Sequence, residues 1–242
     1  MQQHSDALNK RRQIWKYKKI LKRLYHNWYR IIGSALRPGS ILEIGGGSGN
    51  LKEFFTHAIS SDILFTPWAD AVLDAHDLPF KDAALDNIVL FDVLHHLIDP
   101  LHFFFEAQRT LKKNGRIILM EPYISWASFF IYHFLHAEGL VWKSYPFEKQ
   151  GLNKNKSYFH GNQAIPTLIF EKYKNEFCNN FPRLNIIKKE RSDFFIYPLS
   201  GGFHNPSLCP LFLYSAFEYL EKLFRPFNRL LAFRLFVVLK KI

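Results

Sequence analysis

Apolar residues near the start of the chain recur at steps of three and four: Ile14, Tyr17, Leu21, Leu24, Trp28 and Ile31, with Lys16, Lys18, Lys19, Lys22 and Arg23 between them. That period is one face of an α-helix, so the spacing predicts a basic amphipathic helix over residues 12–32. Pro38-Gly39 stops it. The short apolar run Ile41-Leu42-Glu43-Ile44 then leads into Gly45-Gly46-Gly47-Ser48-Gly49, which reads as a strand, a glycine turn and a helix over 50–57. Strand character returns at 63–66, 71–73, 87–91 and 116–120. Between the last two, Asp99-Pro100 opens a helix whose expected apolar face is Leu101, Phe104, Phe105, Gln108 and Leu111, with Asn114-Gly115 as its C-cap. Strands alternating with helices predict an α/β fold, a parallel sheet with helices on both faces.

Beyond residue 121 the pattern changes. An aromatic segment over 123–147 precedes a polar loop over 148–160, a helix over 162–180 and a strand over 184–191. A turn at Ser200-Gly201-Gly202-Phe203 and an aromatic helix over 207–224 follow, and a final strand over 232–239 is expected to pair with 184–191. No repeat and no Pro- or Ser-rich linker divides the chain, so one domain is expected over 1–242. Its parts are a basic N-terminal helix (1–37), a core around the glycine turn (38–123), and an aromatic cap with the C-terminal strands (124–242).

Composition excludes some classes. With 242 residues, 48% hydrophobic and 22% charged, the chain has enough apolar surface for a sizeable core and is not a disordered polymer. The stretch over 123–135 is interrupted by Ser125, Ser128 and His133 and falls short of the roughly 20 residues that span a bilayer. The N-terminus lacks the apolar stretch of a secretory signal, so a cytoplasmic location is expected. Cys178 and Cys209 make neither a disulfide framework nor a metal-ligand spacing. The formal charge is +11, unevenly spread. Residues 1–42 hold ten basic side chains against Asp6, and residues 43–106 hold eleven acidic ones against Lys52 and Lys81. The acidic centre suits a cationic or hydroxyl-rich small molecule, and the basic flanks suit something anionic.

The glycine turn is where chemistry is expected. Glycines let the backbone turn sharply and let a ligand lie against bare amides at the positive end of a helix. The dinucleotide fingerprint fails because its third glycine would be Asn50, and no P-loop lysine follows. Four blocks in order carry a more specific likeness: Ile41 through Gly49; Asp74-Ala75-His76-Asp77-Leu78-Pro79-Phe80; Asn87-Ile88-Val89-Leu90-Phe91-Asp92-Val93-Leu94-His95-His96-Leu97; and Leu111 through Pro122. With these blocks, residues 41–123 resemble the core of a class I S-adenosylmethionine-dependent methyltransferase. The resemblance implies a three-layer sandwich with a seven-stranded, mostly parallel sheet whose last strand is antiparallel. It also implies S-adenosyl-L-methionine as cofactor. Gly45, Gly46, Gly47 and Gly49 would lie under its methionine part, with Glu43 acting on it directly or through water. Asp62, with Ile63 beside it, would hold the ribose hydroxyls, with Asp70 as the competing ligand. Asp74 would accept from the adenine amine, the Ala75 amide would face the ring, and Phe91 would stand beside the methionine portion. Thr66-Pro67-Trp68 departs from the family pattern by replacing the helix after strand two. The flanks, Leu24-Tyr25-x-x-Trp28-Tyr29 and Tyr197 through Phe203, resemble a bacterial subgroup, in which Tyr25 and Tyr29 would close over the carboxylate end of the cofactor or simply pack on the sheet.

Methyl transfer from a sulfonium is an in-line displacement in which alignment supplies much of the acceleration, and a base is needed only for a hydroxyl or protonated amine acceptor. His95 is the first candidate base, and Glu121 and Tyr123 are expected to orient the acceptor. His136, Glu138, His160 and His204 read as surface or core residues, and no metal site is expected. The acceptor expected is small, lipid-linked or glycan-linked, enclosed by Phe129, Phe130, Tyr132, Phe134, Trp142 and Tyr145. Lys222, Arg225, Arg229 and Arg234 around Leu223, Phe224 and Phe227, together with helix 12–32, are expected to meet an anionic membrane surface. Nucleic acid is not the expected partner, because the aromatics interleaved with the N-terminal charges fall on the apolar side of their helix. RNA methylation and a non-catalytic cofactor-binding scaffold are the alternatives.

Overall fold

The computed structural model describes residues 2–134, 139–148 and 161–242. Seven strands form one sheet: β1 (Ile41–Ile44), β2 (Ile59–Asp62), β3 (Ala71–Val72), β4 (Leu85–Phe91), β5 (Leu111–Pro122), β6 (Leu184–Ser192) and β7 (Arg234–Lys241), in the spatial order β3-β2-β1-β4-β5-β7-β6. β1 pairs in parallel with β2 and β4, and β4 with β5, while β7 lies antiparallel between β5 and β6. This is the α/β sandwich expected, with the last strand reversed.

Side chains alternate across the sheet, so successive residues of one strand serve two cores. Val89, Ile118, Met120, Phe236 and Val238 meet the helix α2 (Lys19–Ala35) through Leu21, Leu24, Trp28 and Ile32. On the other face Ile88, Leu90, Ile117, Leu119 and Val237 meet α3 (Pro100–Thr110) through Phe103, Phe104 and Ala107. Phe104 makes edge contacts with the fully buried Phe170 and Phe177, where truncation of one phenylalanine costs about 3–5 kcal/mol.

Several expected elements shift. The helix over 12–32 is two helices, α1 (Gln2–Tyr17) and α2, because Lys18 leaves helical geometry at φ −85, ψ 81. Its ammonium donates to the carbonyls of Gly202 (2.5 Å) and Asn205 (2.7 Å), which holds the break. The helix over 50–57 shrinks to one 3-10 turn, Leu51–Glu53, since the chain enters β2 at Ile59. The second strand is not 63–66 but β2, whose Ser60 and Ser61 are fully buried. α3 ends at Thr110, and Asn114 (φ 64) with Gly115 bends β5 instead of capping the helix. Its buried face is Phe103, Phe104 and Ala107, and Phe105 is half exposed. The helix over 162–180 is α5 (Ile165–Thr167), a π-turn at Leu168–Lys172 and α6 (Lys174–Asn180). The helix over 207–224 is a 3-10 turn, Leu211–Leu213, then α8 (Tyr214–Leu223), which follows the short α7 (Ile196–Ser200) and precedes α9 (Asn228–Leu231). After β5 comes α4 (Trp126–Phe134). Among the described residues no helix is long and apolar enough to cross a membrane.

Candidate functional site

The glycine turn leaves the end of β1 in the middle of the sheet. Gly45, Gly47 and Gly49 have φ of 69, 51 and 74, a left-handed region that costs an L side chain roughly 1–2 kcal/mol. A side chain at Gly46 would fail for a different reason, since its Cβ would lie 2.3 Å from the Ser60 hydroxyl and 2.9 Å from the Glu43 carboxylate. Glu43 is buried behind the turn, where the Ser60 hydroxyl donates to it at 2.5 Å. Burial pushes its carboxyl up to about 7, against the Ser60 hydrogen bond.

Asp62 stands at the end of β2 and faces the turn. Its carboxylate accepts from the Gly47 amide and the Leu64 amide, each at 2.9 Å. Asp70 is placed differently, paired with Lys52 at 2.6 Å and accepting from the Ser60 amide at 2.8 Å. Hydrogen bonds from these groups hold its carboxyl below its ordinary value. Asp74 accepts from the His76 amide (2.9 Å) and lies 2.6 Å from His76 Nδ1, while His76 Nε2 accepts from the Asp99 amide (3.2 Å). Ala75 beside it is buried, and Ile63 is partly exposed.

Trp68, marked in the sequence only as part of a departure from the family pattern, and Arg12, to which the sequence gives no site role, both hold the turn. Trp68 donates its indole N–H to the Gly47 carbonyl at 2.7 Å. Arg12 of α1 lies 4.3 Å over the Trp68 ring and donates to the Ser48 carbonyl at 3.1 Å. The departure at Thr66-Pro67-Trp68 thus supplies a cover where the family pattern has a helix.

At the ends of β4 and β5 the structure builds a second group. Glu121 accepts from the Val93 and Leu94 amides, both at 2.9 Å, and meets His95 Nδ1 at 2.7 Å. His95 and Glu121 are both buried. A carboxylate on Nδ1 selects the Nδ1–H tautomer and puts the basic lone pair on Nε2. Tyr123 is not part of this group. Its buried ring lies 5.2 Å from the Arg191 guanidinium, and burial raises its phenol while Arg191 opposes the rise.

Asp92, at φ 56, pairs with the fully buried Arg234 at 2.6 Å. Trp28, Phe91 and Tyr197 surround that guanidinium at 4.7, 5.1 and 5.4 Å. Arg234 is therefore a brace under the site rather than part of a basic surface. A lone arginine in the apolar run of β7 was the signal for it. Asp92, His95 and Glu121 bring ligand atoms within 4.8 Å of one another. Arg234, the Val93 and Leu94 amides and the histidine itself already engage them.

Tyr25 stacks on Phe91 at 5.0 Å, and Tyr29 packs 5.7 Å from the same ring. Burial raises both phenols and the charge of Asp92 adds to it, so both lie within electrostatic reach of the strand ends. Trp15, Tyr25 and Trp28 are buried and present no stacking face for bases, whereas Tyr17 is exposed. The aromatics expected to enclose an acceptor do not form a closed cap: Tyr132 is buried, but Phe129, Phe130, Phe134 and Trp142 face outward. His136, Glu138 and His160 lie outside the described residues, and His204 is exposed. A cleft of about 560 Å³ lies away from the glycine turn, lined by Trp28, Arg191, Asp193, Glu221, Lys222 and Arg225 among others.

Comparison with known proteins identifies the family. Residues 13–165 match the family described as a methyltransferase domain. A S-adenosylmethionine-dependent methyltransferase from Archaeoglobus fulgidus has a similar structure, with a TM-score of 0.57 at 13% identity over 95% of this chain and 97% of that one. Geranyl diphosphate C-methyltransferase from Streptomyces coelicolor, solved with Mg2+, geranyl-S-thiolodiphosphate and S-adenosyl-L-homocysteine, gives 0.50 at 12% identity over 91% and 77%. At such identities the likeness speaks for the fold. An uncharacterised protein of Methanocaldococcus jannaschii is 30% identical over 104 residues, 40% of this chain and 51% of that protein. A transposon protein of Streptomyces fradiae is 39% identical over 49 residues, 20% and 14% of the two chains. The matches thus span about half or less of these curated relatives. With the family match covering the glycine turn and the ends of β4 and β5, the chain belongs to the methyltransferase-domain family, and its likeness to the solved structures shows their class I α/β fold.

Proposed function

We propose that the protein transfers a methyl group from S-adenosylmethionine to a small, lipid-linked or glycan-linked acceptor by in-line displacement. The observation that carries this reading is the presence of two groups at the ends of the sheet's strands, the left-handed glycine turn with Asp62 after β1 and β2 and the buried His95–Glu121 pair after β4 and β5. The residues present fit the cofactor. A sulfonium, two ribose hydroxyls and an exocyclic amine call for anionic acceptors beside bare amides, and Glu43, Asp62, Asp74 and Asp92 stand around the turn and the strand ends. When bound, S-adenosylmethionine supplies an electrophilic methyl group.

In this reading Gly45, Gly46, Gly47 and Gly49 leave room for the methionine part, and Asp62 takes the ribose hydroxyls in addition to the Gly47 amide it holds. Asp74, fixed by His76, accepts from the adenine amine, with Ala75 and Ile63 along the ring and ribose. Glu43 stands behind the turn, where its carboxyl is mostly ionised only above about pH 7, and Phe91, Tyr25 and Tyr29 form an aromatic wall over the methionine end. Asp70, committed to Lys52 and Ser60, is a brace for β2. Glu121 uses one oxygen to fix the turn after β4 and the other to orient His95. His95 then holds the acceptor's proton at Nε2, the step an oxygen or protonated nitrogen nucleophile requires. Tyr123, packed beside Arg191, shapes the acceptor side.

The test is a labelled-methyl assay on cell extract separated into lipid, small-molecule, protein and RNA fractions. Label should enter the lipid or small-molecule fraction. His95→Gln should slow transfer about 100-fold while S-adenosylhomocysteine binding stays intact. Label confined to RNA or protein, or no transfer into any fraction, would overturn the acceptor class.

A further inference from the structure

We infer that α4 and the α8–α9 segment form a docking face for an anionic lipid bilayer, next to the mouth of the candidate site. As a statement about the acceptor this rests on the proposed function; as a statement about the surface it does not. Trp126, Phe130 and Phe134 of α4 are 72%, 56% and 69% exposed, and Leu223, Phe227 and Leu230 are 61%, 52% and 46% exposed. α4 packs against α9, so the two exposed apolar rows lie on neighbouring elements.

The charge beside these rows identifies the partner. After Asp193 the chain has only two acidic residues, Glu218 and Glu221, and both are engaged by other partners. Glu218 meets Arg23 and Asn27 of α2. Glu221 accepts from the amides of Phe194, Phe195 and Ile196 at 3.1, 3.1 and 3.0 Å. Lys222, Arg225 and Arg229 remain exposed, and among the described residues no carboxylate pairs with them. Aromatic and leucine side chains rimmed by unpaired cations suit a negatively charged interface, where the rings enter the headgroup boundary and the cations meet phosphates. Phe224 and Arg234 are not part of this face, because Phe224 packs on Phe195 and Arg234 is buried.

The face is tied to the chemistry at both ends. α4 starts four residues beyond the end of β5, the strand that carries Glu121, and only Ala232 and Phe233 separate α9 from β7, which carries Arg234. An acceptor with a lipid tail anchored in the bilayer would thus present its head beside the strand ends without leaving the membrane.

The test is co-sedimentation of the full chain with phosphatidylcholine vesicles, plain or containing about one third phosphatidylglycerol. Binding should be about tenfold stronger to the anionic vesicles, and part of it should persist at about 150 mM salt. Phe130→Ser with Phe227→Ser should remove the salt-resistant part. Lys222→Glu with Arg229→Glu should remove the preference for anionic lipid. All these positions are exposed, and circular dichroism and S-adenosylhomocysteine binding should match the unaltered protein. No pelleting, equal pelleting with both vesicles, or pelleting unchanged in both variants would overturn the proposal. So would self-association that the serine variants abolish, because a second copy would then be what covers the face. Loss of S-adenosylhomocysteine binding by the unaltered protein would strike the proposed function alone.

Discussion

Glu43 joins the energetics of folding to the site. Burial raises its carboxyl from an ordinary 4.5 to about 7, so between those values the folded protein keeps a proton that the unfolded chain has released. The folded state then binds more protons than the unfolded one, and stability must fall as pH rises through that window, by about 3 kcal/mol in all. Glu221, also pushed up to about 7 by burial and by Asp193, acts in the same direction. Urea unfolding at pH 5 and pH 7.5 should therefore show a loss at the higher pH, and Glu43→Gln should remove only its own share. A variant with the unaltered slope would place Glu43 in a more solvated setting. The residue was legible in the sequence as part of the strand before the glycines. Its depth was not, because it depends on Ser60 of β2, a serine that looks like loop composition until parallel pairing buries it.

Elements were legible where apolar period and burial coincide, as in α2, β4 and β7, and illegible where side-chain hydrogen bonds set the boundary. β2 is the clearest case. Ile63, Leu64 and Phe65 look like a strand, yet Phe65 is 77% exposed while Ser60 and Ser61 line the sheet. The Ser61 hydroxyl bonds the Glu43 carbonyl at 2.6 Å, a pairing that no period announces. The break at Lys18 is similar, since what holds it comes from residues near 202–205. This break makes α1 a separate element whose contacts with the glycine turn run through Arg12 and the buried Leu8. Arg12→Ala removes one hydrogen bond and one stacking contact, together about 1–2 kcal/mol. Hydrogen exchange should accelerate in α1 and around Gly47–Gly49 and stay unchanged in β4 and β5. Equal acceleration across the sheet would mean that α1 is part of the cooperative core.

Across the whole molecule, distant parts of the chain meet under the site. Arg234 reaches Asp92 across 142 positions, buried in an aromatic cage that Trp28 shares. Removing one partner of a buried pair leaves a charge uncompensated, so Arg234→Met should cost about 3–5 kcal/mol in chemical unfolding. Adding Asp92→Asn should recover much of that loss. Additive losses from the two substitutions would mean the pair is not coupled. The sheet order carries a further consequence. β7 follows β6 in sequence but lies between β5 and β6, so β6 has no partner in the sheet until β7 arrives. The five strands β3-β2-β1-β4-β5 can therefore pair without β6 and β7, leaving β5 as an open edge and Asp92 without its Arg234 counter-ion. The cofactor turn can form early, but the acceptor side is completed only when the long hairpin of β6 and β7 docks. In pulse-labelled refolding, the amides of β6 and β7 should gain protection together and after those of β1 and β4.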